Sequence, residues 1–257
     1  MPTFLFDRVV FGPVHSRRLG SSLGINLLPT ERKYCNFNCI YCECGWNLSG
    51  KTQALPNREL VRNALQSKLT ELKVTGNLPD AITFAGNGEP TIHPEFAAIV
   101  DDTVALRNQL SPASKVSVLS NATMLFRPDI AEALKKTDLP ILKLDSARDE
   151  VIALINRPVK NTTAVELIRQ LKNFDGNCIL QTMFVQGTCN GQPVNNTLPE
   201  ELDDWEKAVC EIRPRLVQIY TIARSTPLDT LFKIPEQHLR EIEKRILRHG
   251  IPTQVTV

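Results

Sequence analysis

The chain has 257 residues, of which 42% are apolar and 23% charged, a composition typical of a globular protein rather than a disordered or membrane-embedded one. Lysine and arginine exceed aspartate and glutamate only by 30 to 28, so net charge neither favours nor excludes nucleic acid as a partner. No segment has the apolar length of a membrane span, the N-terminus lacks a signal-peptide pattern, and no membrane partner is expected. Seven cysteines, an odd number with three in one short stretch, do not indicate disulfides, so we expect a reducing, cytoplasmic location.

Short apolar stretches alternate with segments of helical periodicity along most of the chain. Residues 4–14 favour an extended lead-in, and residues 24–29 a first buried strand that ends at proline. Asn57 is a typical N-cap for the first helix, and Gly76 lies where that helix is expected to end. Further strands are predicted at 81–85, 115–120, 141–145, 178–185, 216–220 and 253–257, and further helices at 94–110, 128–136, 149–155, 163–174, 199–212 and 235–248.

This alternation predicts an α/β fold. Six largely apolar strands separated by helices are typical of a parallel sheet with helices outside. Right-handed crossovers curl such a sheet, but a complete eight-unit barrel needs more couplets than the chain supplies. We therefore expect an open partial (βα)6 TIM-like barrel. Since no internal linker occurs, residues 1–257 are predicted to be one domain, with a lead-in over 1–20, a barrel core over 21–225 and a C-terminal helix and short strand over 226–257.

The most distinctive stretch follows the first strand, where Cys35, Cys39 and Cys42 have the spacing C-x3-C-x2-C. Thiolates on so short a loop can each hold one iron of a cubane 4Fe–4S cluster, which leaves the fourth iron open to an outside ligand. A structural zinc site is the alternative, although zinc usually takes ligand pairs from separate parts of a knuckle. Cys44 could complete a zinc site or act as a fourth cluster ligand. The spacing favours the cluster with three cysteine ligands.

Other polar residues follow the predicted strands, at the edge where parallel α/β proteins gather their ligands. Gly86 and Gly88 allow a close backbone approach, and Glu89 offers an acceptor to an ammonium group. Lys143 and Asp145 point to one face of their strand, which is costly unless they form an internal salt bridge or bind a ribose or carboxylate. This clustering predicts a shared active site.

With these surroundings, the cysteine motif resembles the signature of the radical S-adenosylmethionine superfamily. Three further segments fit that resemblance in the same order, namely 11–20, 86–91 and 156–158. The resemblance spans most of the chain and is to the stand-alone branch grouped with the archaeal wyosine-type tRNA-guanine modifying (imidazoguanosine synthetase-like) proteins. In the superfamily, the open iron chelates S-adenosyl-L-methionine, and electron transfer releases a 5′-deoxyadenosyl radical that abstracts hydrogen from a substrate.

The resemblance implies two cofactors, a 4Fe–4S cluster on the three cysteines and S-adenosyl-L-methionine, together with an electron donor such as flavodoxin or ferredoxin. It places the amino group of S-adenosyl-L-methionine on the segment Gly86, Asn87, Gly88 and Glu89. Tyr41 is expected to contact the adenine or to pack over the cluster. Ribose or methionine carboxylate is expected at Ser120 and Asn121.

Four arginines are candidates for binding an anion. Arg17 and Arg18 precede the first core strand, and their forked guanidinium groups suit a carboxylate or phosphate. The resemblance implies that this anion belongs to the substrate or is the carboxylate of the cofactor. The alternative is a pair of surface charges. Arg157 and Arg224 are further candidates of the same kind.

The sequence leaves the substrate open. The resemblance suggests a modified tRNA base, but wyosine-type enzymes carry additional cysteines for a second cluster, and no second motif or basic stripe occurs here. A small molecule, a peptide or a glycyl-radical partner enzyme is the alternative among enzymes. A non-enzymatic protein that binds a metal and a partner is the alternative outside that class.

Overall fold

Strands and helices alternate along the chain in a computed structural model that describes residues 4–48 and 54–257. The strands are β1 (Val10–Ser16), β2 (Gly20–Ile25), β3 (Ala81–Phe84), β4 (Lys115–Ser120), β5 (Leu139–Lys143), β6 (Ile179–Met183), β7 (Val185–Cys189), β8 (Gln192–Asn195), β9 (Leu216–Tyr220), β10 (Leu231–Lys233) and β11 (Thr253–Thr256). The helices are α1 (Arg58–Val74), α2 (Phe96–Leu110), α3 (Pro128–Lys135), α4 (Asp149–Ile155), α5 (Ala164–Lys172), α6 (Pro199–Ile212) and α7 (Glu236–Leu247), with a 3-10 turn at Pro90–Ile92.

An eight-stranded sheet forms the centre of the fold, in the order β1-β2-β3-β4-β5-β6-β9-β11. β1 pairs antiparallel with β2, and the other neighbours pair parallel. The parallel strands β2, β3, β4, β5, β6 and β9 correspond to the six strands that the sequence predicts. The sheet is a curled half-barrel with helices outside, which confirms the predicted fold class.

The helices cover the sheet with apolar faces whose spacing the sequence displays. The Asn57 side chain caps α1 by accepting a hydrogen bond from the Leu60 backbone at 2.8 Å. Gly76 follows the end of that helix with a φ of +72°, a left-handed conformation that glycine adopts with less strain than other residues. Both predicted helix boundaries are confirmed. Within the described part of the chain, no helix is long and apolar enough to cross a membrane.

The first core strand begins and ends earlier than predicted, at Gly20–Ile25 rather than 24–29. The Asn26 side chain accepts a hydrogen bond from the Leu28 backbone at 3.2 Å and donates one to the Leu28 carbonyl at 3.0 Å, so it turns the chain out of the sheet. The lead-in before it contains a true edge strand, β1, which pairs with β2. Residues 1–3 of the predicted lead-in lie outside the described residues.

A second sheet, of three strands in the order β10-β7-β8, was not predicted. The apolar run 178–185 spans the end of β6 and the start of β7, so it reads as one strand in the sequence. The β7–β8 hairpin turns at Asn190 and Gly191, both with positive φ. Asn-Gly is the strongest short-range hairpin signal, and it identifies this element in the sequence.

The loop between β2 and α1 carries the three closely spaced cysteines and lies against two other loops. The Tyr34 backbone donates to the Asn87 carbonyl at 2.7 Å, and Tyr34 and Gly88 form an isolated parallel bridge. Phe37 forms a similar antiparallel bridge with Pro158. Gly88 has a φ of +144°, and a Cβ there would lie 2.0 Å from the Tyr34 carbonyl oxygen. Glycine at this position therefore allows the cysteine loop to dock.

Replacing Gly88 by alanine is expected to displace the cysteine loop and destabilise the fold. Backbone strain at such a φ costs about 1–3 kcal/mol, and the clash with a backbone carbonyl adds about 1–3 kcal/mol. Gly191→Ala is the matched control, because Gly191 also has positive φ but no atom lies within 4 Å of the added Cβ. Urea unfolding under anaerobic conditions measures the free energy of unfolding of both variants. Equal free energies for the two would contradict the docking role of Gly88.

Candidate active site

The cysteine loop is fastened beside the carboxyl edge of the sheet. Cys39 is buried, while Cys35 and Cys42 are half-buried. The Ile40 backbone between them donates to the Ile155 carbonyl at the end of α4, at 2.9 Å. The Ile40 side chain is fully buried, so it anchors the cysteine loop in the core.

Amide groups donate hydrogen bonds to two of the sulfur atoms. Asn156 Nδ2 lies 3.5 Å from Cys39 Sγ, and Asn121 Nδ2 lies 3.8 Å from Cys35 Sγ, which also accepts from the Phe37 backbone at 3.4 Å. Burial raises the pKa of Cys35, and it raises that of Cys39 to about 11, so both thiols hold their protons until a metal displaces them. Hydrogen bonds like those from Asn156 and Asn121 stabilise a thiolate sulfur and influence the reduction potential of a bound cluster.

Cys44 supports Cys42. The neighbouring Cys44 thiol lowers the pKa of Cys42 to about 6, against the opposing effect of burial. The Cys44 sulfur also lies 3.6 Å from the Gly86 carbonyl oxygen. Buried Lys33 donates to the Gly45 carbonyl at 3.1 Å, and its charge further favours the Cys42 thiolate. Cys44 therefore adjoins both Cys42 and the segment after β3, and the two thiols shift each other's pKa in opposite directions.

The donor set fits an iron–sulfur cluster. Thiolates are the ligands that iron–sulfur clusters take. Across residues 4–48 and 54–257, no three His, Cys, Asp or Glu side chains converge on one point as a single metal ion requires. A 4Fe–4S cube bonds each thiolate to a different iron, so it needs thiols that surround a space rather than meet at a point.

The segment after β3 has a structural role as well as the predicted cofactor role. The fully buried Asn87 side chain accepts from the Phe6 backbone at 2.8 Å and donates to the Phe6 and Pro29 carbonyls at 2.9 and 2.8 Å. It thereby ties the N-terminal segment to the barrel. Gly86 packs on Asn26, whose Oδ1 would lie 2.2 Å from an added Cβ. A contact of Gly86, Asn87 and Gly88 with S-adenosyl-L-methionine stays a prediction.

Glu89 is a buried carboxylate whose oxygens bind protein donors. Oε1 accepts from the Thr91 backbone at 3.1 Å, the Thr91 hydroxyl at 2.5 Å and the Ser120 hydroxyl at 2.8 Å, and Oε2 accepts from the Asn121 backbone at 2.7 Å. Burial raises the pKa of Glu89, and these four hydrogen bonds oppose the shift. The structure thus brings together Glu89, Ser120 and Asn121 as predicted. Their contacts with the cofactor stay predictions.

Lys143 and Asp145 form the internal salt bridge that the sequence left as one of two alternatives, with Nζ 3.5 Å from Oδ1. Lys143 also donates to the Tyr220 hydroxyl at 2.6 Å. Burial lowers the pKa of Lys143, but attraction to Asp145 and Tyr220 outweighs it, so the pKa is raised and the amine is charged. The Tyr41 hydroxyl and Asn156 Nδ2, the latter at 2.7 Å, both donate to Asp145 Oδ2. This network links Lys143 and Tyr220 to Asn156, the hydrogen-bonding partner of Cys39.

Three of the four predicted arginines line one cavity. Arg17 donates to the carbonyl of the C-terminal residue at 2.6 Å. The guanidinium carbon of Arg18 lies 4.8 Å from the centre of the Tyr220 ring. Arg224 forms an ion pair with Glu43 at 2.7 Å. Arg17 and Arg224 are exposed and Arg18 is half-buried, so the alternative of two surface charges does not describe Arg18.

Arg157 lies apart from that group. It has a positive φ of 47°, and its guanidinium carbon lies 5.2 Å from the centre of the Trp46 ring. It lines a separate cavity of about 500 Å³ beside Lys160. Arg157 is therefore placed to hold the cysteine loop, and its predicted anion-binding role stays a prediction.

Three side chains at this site were missed in the sequence. Asn156 belongs to the segment 156–158, in which we singled out only the arginine. Tyr220 ends β9, as the other candidates end their strands, and this position is a signal that could have identified it. Glu43 lies between Cys42 and Cys44, and only the fold reveals that it pairs with Arg224.

The profile of the radical SAM superfamily matches residues 33–198. A UPF0026 protein of Synechocystis sp. is 30% identical over 250 residues, which are 95% of this chain and 82% of that protein. A Brachyspira hyodysenteriae protein named GTPase Obg is 30% identical over 239 residues, and a Helicobacter pylori UPF0026 protein is 30% identical over 183. The match to the Brachyspira protein covers 91% of this chain and 33% of that protein. The match to the Helicobacter protein covers 70% of this chain and 57% of that protein. An S-adenosylmethionine-dependent nucleotide dehydratase of Selenomonas ruminantium is 28% identical over 130 residues, 50% of this chain and 41% of that protein.

Solved structures of low sequence identity share the fold. A radical SAM methyltransferase from Sphaerobacter thermophilus has a TM-score of 0.67 at 12% identity, over 91% of this chain and 65% of that one. A structure of TYW1 with a lysine-pyruvate adduct bound has a TM-score of 0.60 at 13% identity, over 88% of this chain and 73% of that one. These likenesses concern the fold alone, so the narrower resemblance to wyosine-type proteins is not confirmed. The 4Fe–4S cluster and S-adenosyl-L-methionine are the cofactors of the superfamily. With the match over residues 33–198, the chain belongs to the radical SAM superfamily.

Proposed function

We propose that the chain is an iron–sulfur enzyme that cleaves S-adenosyl-L-methionine reductively and uses the resulting radical to abstract hydrogen from a substrate. The observation that carries this proposal is the loop of Cys35, Cys39 and Cys42, fastened next to a buried polar network and an adjoining cavity. Three thiolates leave one iron of a 4Fe–4S cluster free to bind a small molecule.

Each part of the loop has a chemical task in this proposal. The three thiolates hold the cluster, and Asn156 and Asn121 donate to the sulfurs of Cys39 and Cys35. When bound, the cluster and S-adenosyl-L-methionine supply an electron and a 5′-deoxyadenosyl radical. The buried loops around the thiols limit the access of water, which would otherwise compete for the open position.

The two buried carboxylates position the cofactor-binding loops. Glu89 holds the ends of β3 and β4 together through Ser120 and Asn121. Asp145 orients Tyr41 and Asn156. We infer that backbone groups of residues 86–88 bind the methionine amino group, because the Glu89 oxygens already accept four hydrogen bonds.

The electron would come from a small donor protein such as flavodoxin or ferredoxin, and a reducing cytoplasm would preserve the cluster. The free cysteines of the described residues support that location. A small-molecule substrate is supported by the cavity of about 700 Å³ beside the cysteine loop. The S-adenosylmethionine-dependent nucleotide dehydratase of Selenomonas ruminantium, to which the chain is similar, is named for a small-molecule substrate, a nucleotide. A tRNA base or a peptide is the alternative.

Anaerobically reconstituted protein is expected to contain about four irons per chain and to absorb broadly in the visible range. Alanine at Cys35, Cys39 or Cys42 should abolish iron binding, because each thiolate holds a different iron. Cys44→Ala is the matched control and should retain the iron. Iron analysis and absorbance measure the result, and stoichiometric zinc without iron uptake would contradict the cluster.

S-adenosyl-L-methionine is expected to change the electron paramagnetic resonance spectrum of the reduced cluster, because the open iron takes it as a ligand. With a strong reductant, 5′-deoxyadenosine should be released slowly even without substrate. Chromatography of the reaction products measures the amount of 5′-deoxyadenosine released. A protein with a full cluster whose spectrum does not respond to S-adenosyl-L-methionine would be an electron-transfer or binding protein instead.

Glu89→Ala is expected to reduce stability as well as cofactor binding. The variant leaves the buried donors of Thr91, Ser120 and Asn121 without their acceptor, and each such group costs about 1–3 kcal/mol. Thr91→Val keeps the shape of the side chain, removes the hydroxyl donor together with its bond to Glu89 and should cost only about 1 kcal/mol. Urea unfolding and equilibrium dialysis with S-adenosyl-L-methionine separate the two effects. Wild-type stability with lost binding would instead assign Glu89 a direct contact with the ammonium group.

A further inference from the structure

The inner face of the half-barrel borders a cavity of about 700 Å³. The cavity extends from Glu43 in the cysteine loop to the turn between β1 and β2, which carries Arg17 and Arg18. Its floor is formed by residues of four neighbouring strands or their ends, including Ser22, Thr83, Leu119 and Ile141. This volume is in the range of sites for small molecules.

The charges along this cavity are unbalanced. Three arginines line it, namely Arg17, Arg18 and Arg224, and Glu43 is the acidic residue among the lining side chains. Glu43 pairs with Arg224 at 2.7 Å, and Arg17 contacts a backbone carbonyl. Among the described residues, Arg18 forms no ion pair with a carboxylate, and the lining carries a formal excess of positive charge that favours an anion.

Arg18 is built to hold a ligand. Its Nη1 atom is buried and lacks a hydrogen-bond partner among the described residues. A buried donor of this kind is costly unless a ligand or water satisfies it. The guanidinium carbon lies 4.8 Å from the centre of the Tyr220 ring, within the range of a cation–π contact. Burial also lowers the pKa of Arg18, although the guanidinium stays charged at neutral pH.

The N-terminal segment supplies aromatic rings to the lining of this cavity. The Phe6 and Phe11 rings stack with centroids 3.7 Å apart, and the Phe4 ring meets Phe6 edge-on at 4.9 Å. All three line the cavity. A wall of rings accommodates a planar or apolar group. The lining of the cavity therefore combines aromatic rings with cationic side chains.

We propose that this cavity binds the substrate, a small organic acid whose carboxylate or phosphate contacts Arg18 and whose apolar part packs on the phenylalanines. The proposal rests on the proposed radical function. A carboxylate of S-adenosyl-L-methionine has the same chemistry, and competition between the cofactor and anionic probes distinguishes the two sources. In the protein, Arg18 contacts Tyr220, which accepts a hydrogen bond from Lys143.

The test uses reconstituted protein that holds its cluster, with phenylacetate and phenyl phosphate as anionic probes and phenylacetamide as the neutral match. Isothermal titration is expected to show at least one anionic probe binding about tenfold or more tighter than the amide, as expected for a charge-assisted hydrogen bond. Arg18→Met should remove this preference and leave the affinity for phenylacetamide and S-adenosyl-L-methionine unchanged. Arg240→Met, on the exposed face of α7, is the control and should bind all four compounds as wild type does.

Equal binding of the amide and both anions by wild-type protein would overturn the proposal without any variant. Displacement of the anionic probe by S-adenosyl-L-methionine, with weaker cofactor binding in Arg18→Met, would assign the anion site to the cofactor. Competition by an RNA oligonucleotide with no binding of the small probes would likewise overturn it. Because probe binding is measured without turnover, its failure is distinct from a failure of iron uptake or of 5′-deoxyadenosine release, which would overturn the radical function itself.

Discussion

The geometry of the site depends on one buried carboxylate, that of Glu89. It lies just beyond β3 and accepts hydrogen bonds from the Ser120 hydroxyl and the Asn121 backbone at the end of β4, so it joins the carboxyl ends of two neighbouring strands. Without such donors, burying this charge would cost several kcal/mol. The Asn121 side chain in turn donates to Asn36 Oδ1 of the cysteine loop at 2.6 Å. Asn121 therefore contacts the Glu89 carboxylate with its backbone and the cysteine loop with its side chain, so the position of Glu89 also affects the position of that loop.

Asp145 performs the matching task beyond β5. It accepts from the Met183 backbone at 2.9 Å, from Asn156 and from Tyr41, and it pairs with Lys143. The cysteine loop is thereby held from two sides by polar networks that are closed by the protein itself. Such networks are rigid because every displaced partner leaves a buried group unsatisfied. A rigid surround suits thiolates that must keep fixed positions around a cluster.

The N-terminal segment connects this rigid part to the cavity. Phe6 exchanges hydrogen bonds with the Asn87 side chain, and the Phe4 backbone donates to the Glu43 carbonyl at 3.0 Å. The same segment presents its aromatic rings to the cavity that Arg18 enters. The loops assigned to the cofactor and the wall assigned to the substrate thus share hydrogen bonds, so a ligand at one contacts elements that position the other. This sharing is the physical basis on which substrate and cofactor could affect each other's binding.

The sequence alone determined the class of fold and the region of the site, because strand and helix periodicity and the spacing of three cysteines are local properties of the chain. The six parallel strands, the capping of α1 by Asn57 and the likeness to the radical SAM superfamily were all accessible in this way. Only the tertiary structure decided which side chains meet. Asn156 reaches Cys39 across 117 positions, Glu43 reaches Arg224 across 181, and Asn87 turned out to hold the N-terminal segment. Such pairings follow from how the sheet curls and how the loops dock on one another, and no local pattern of residues encodes a contact between segments so far apart in the chain.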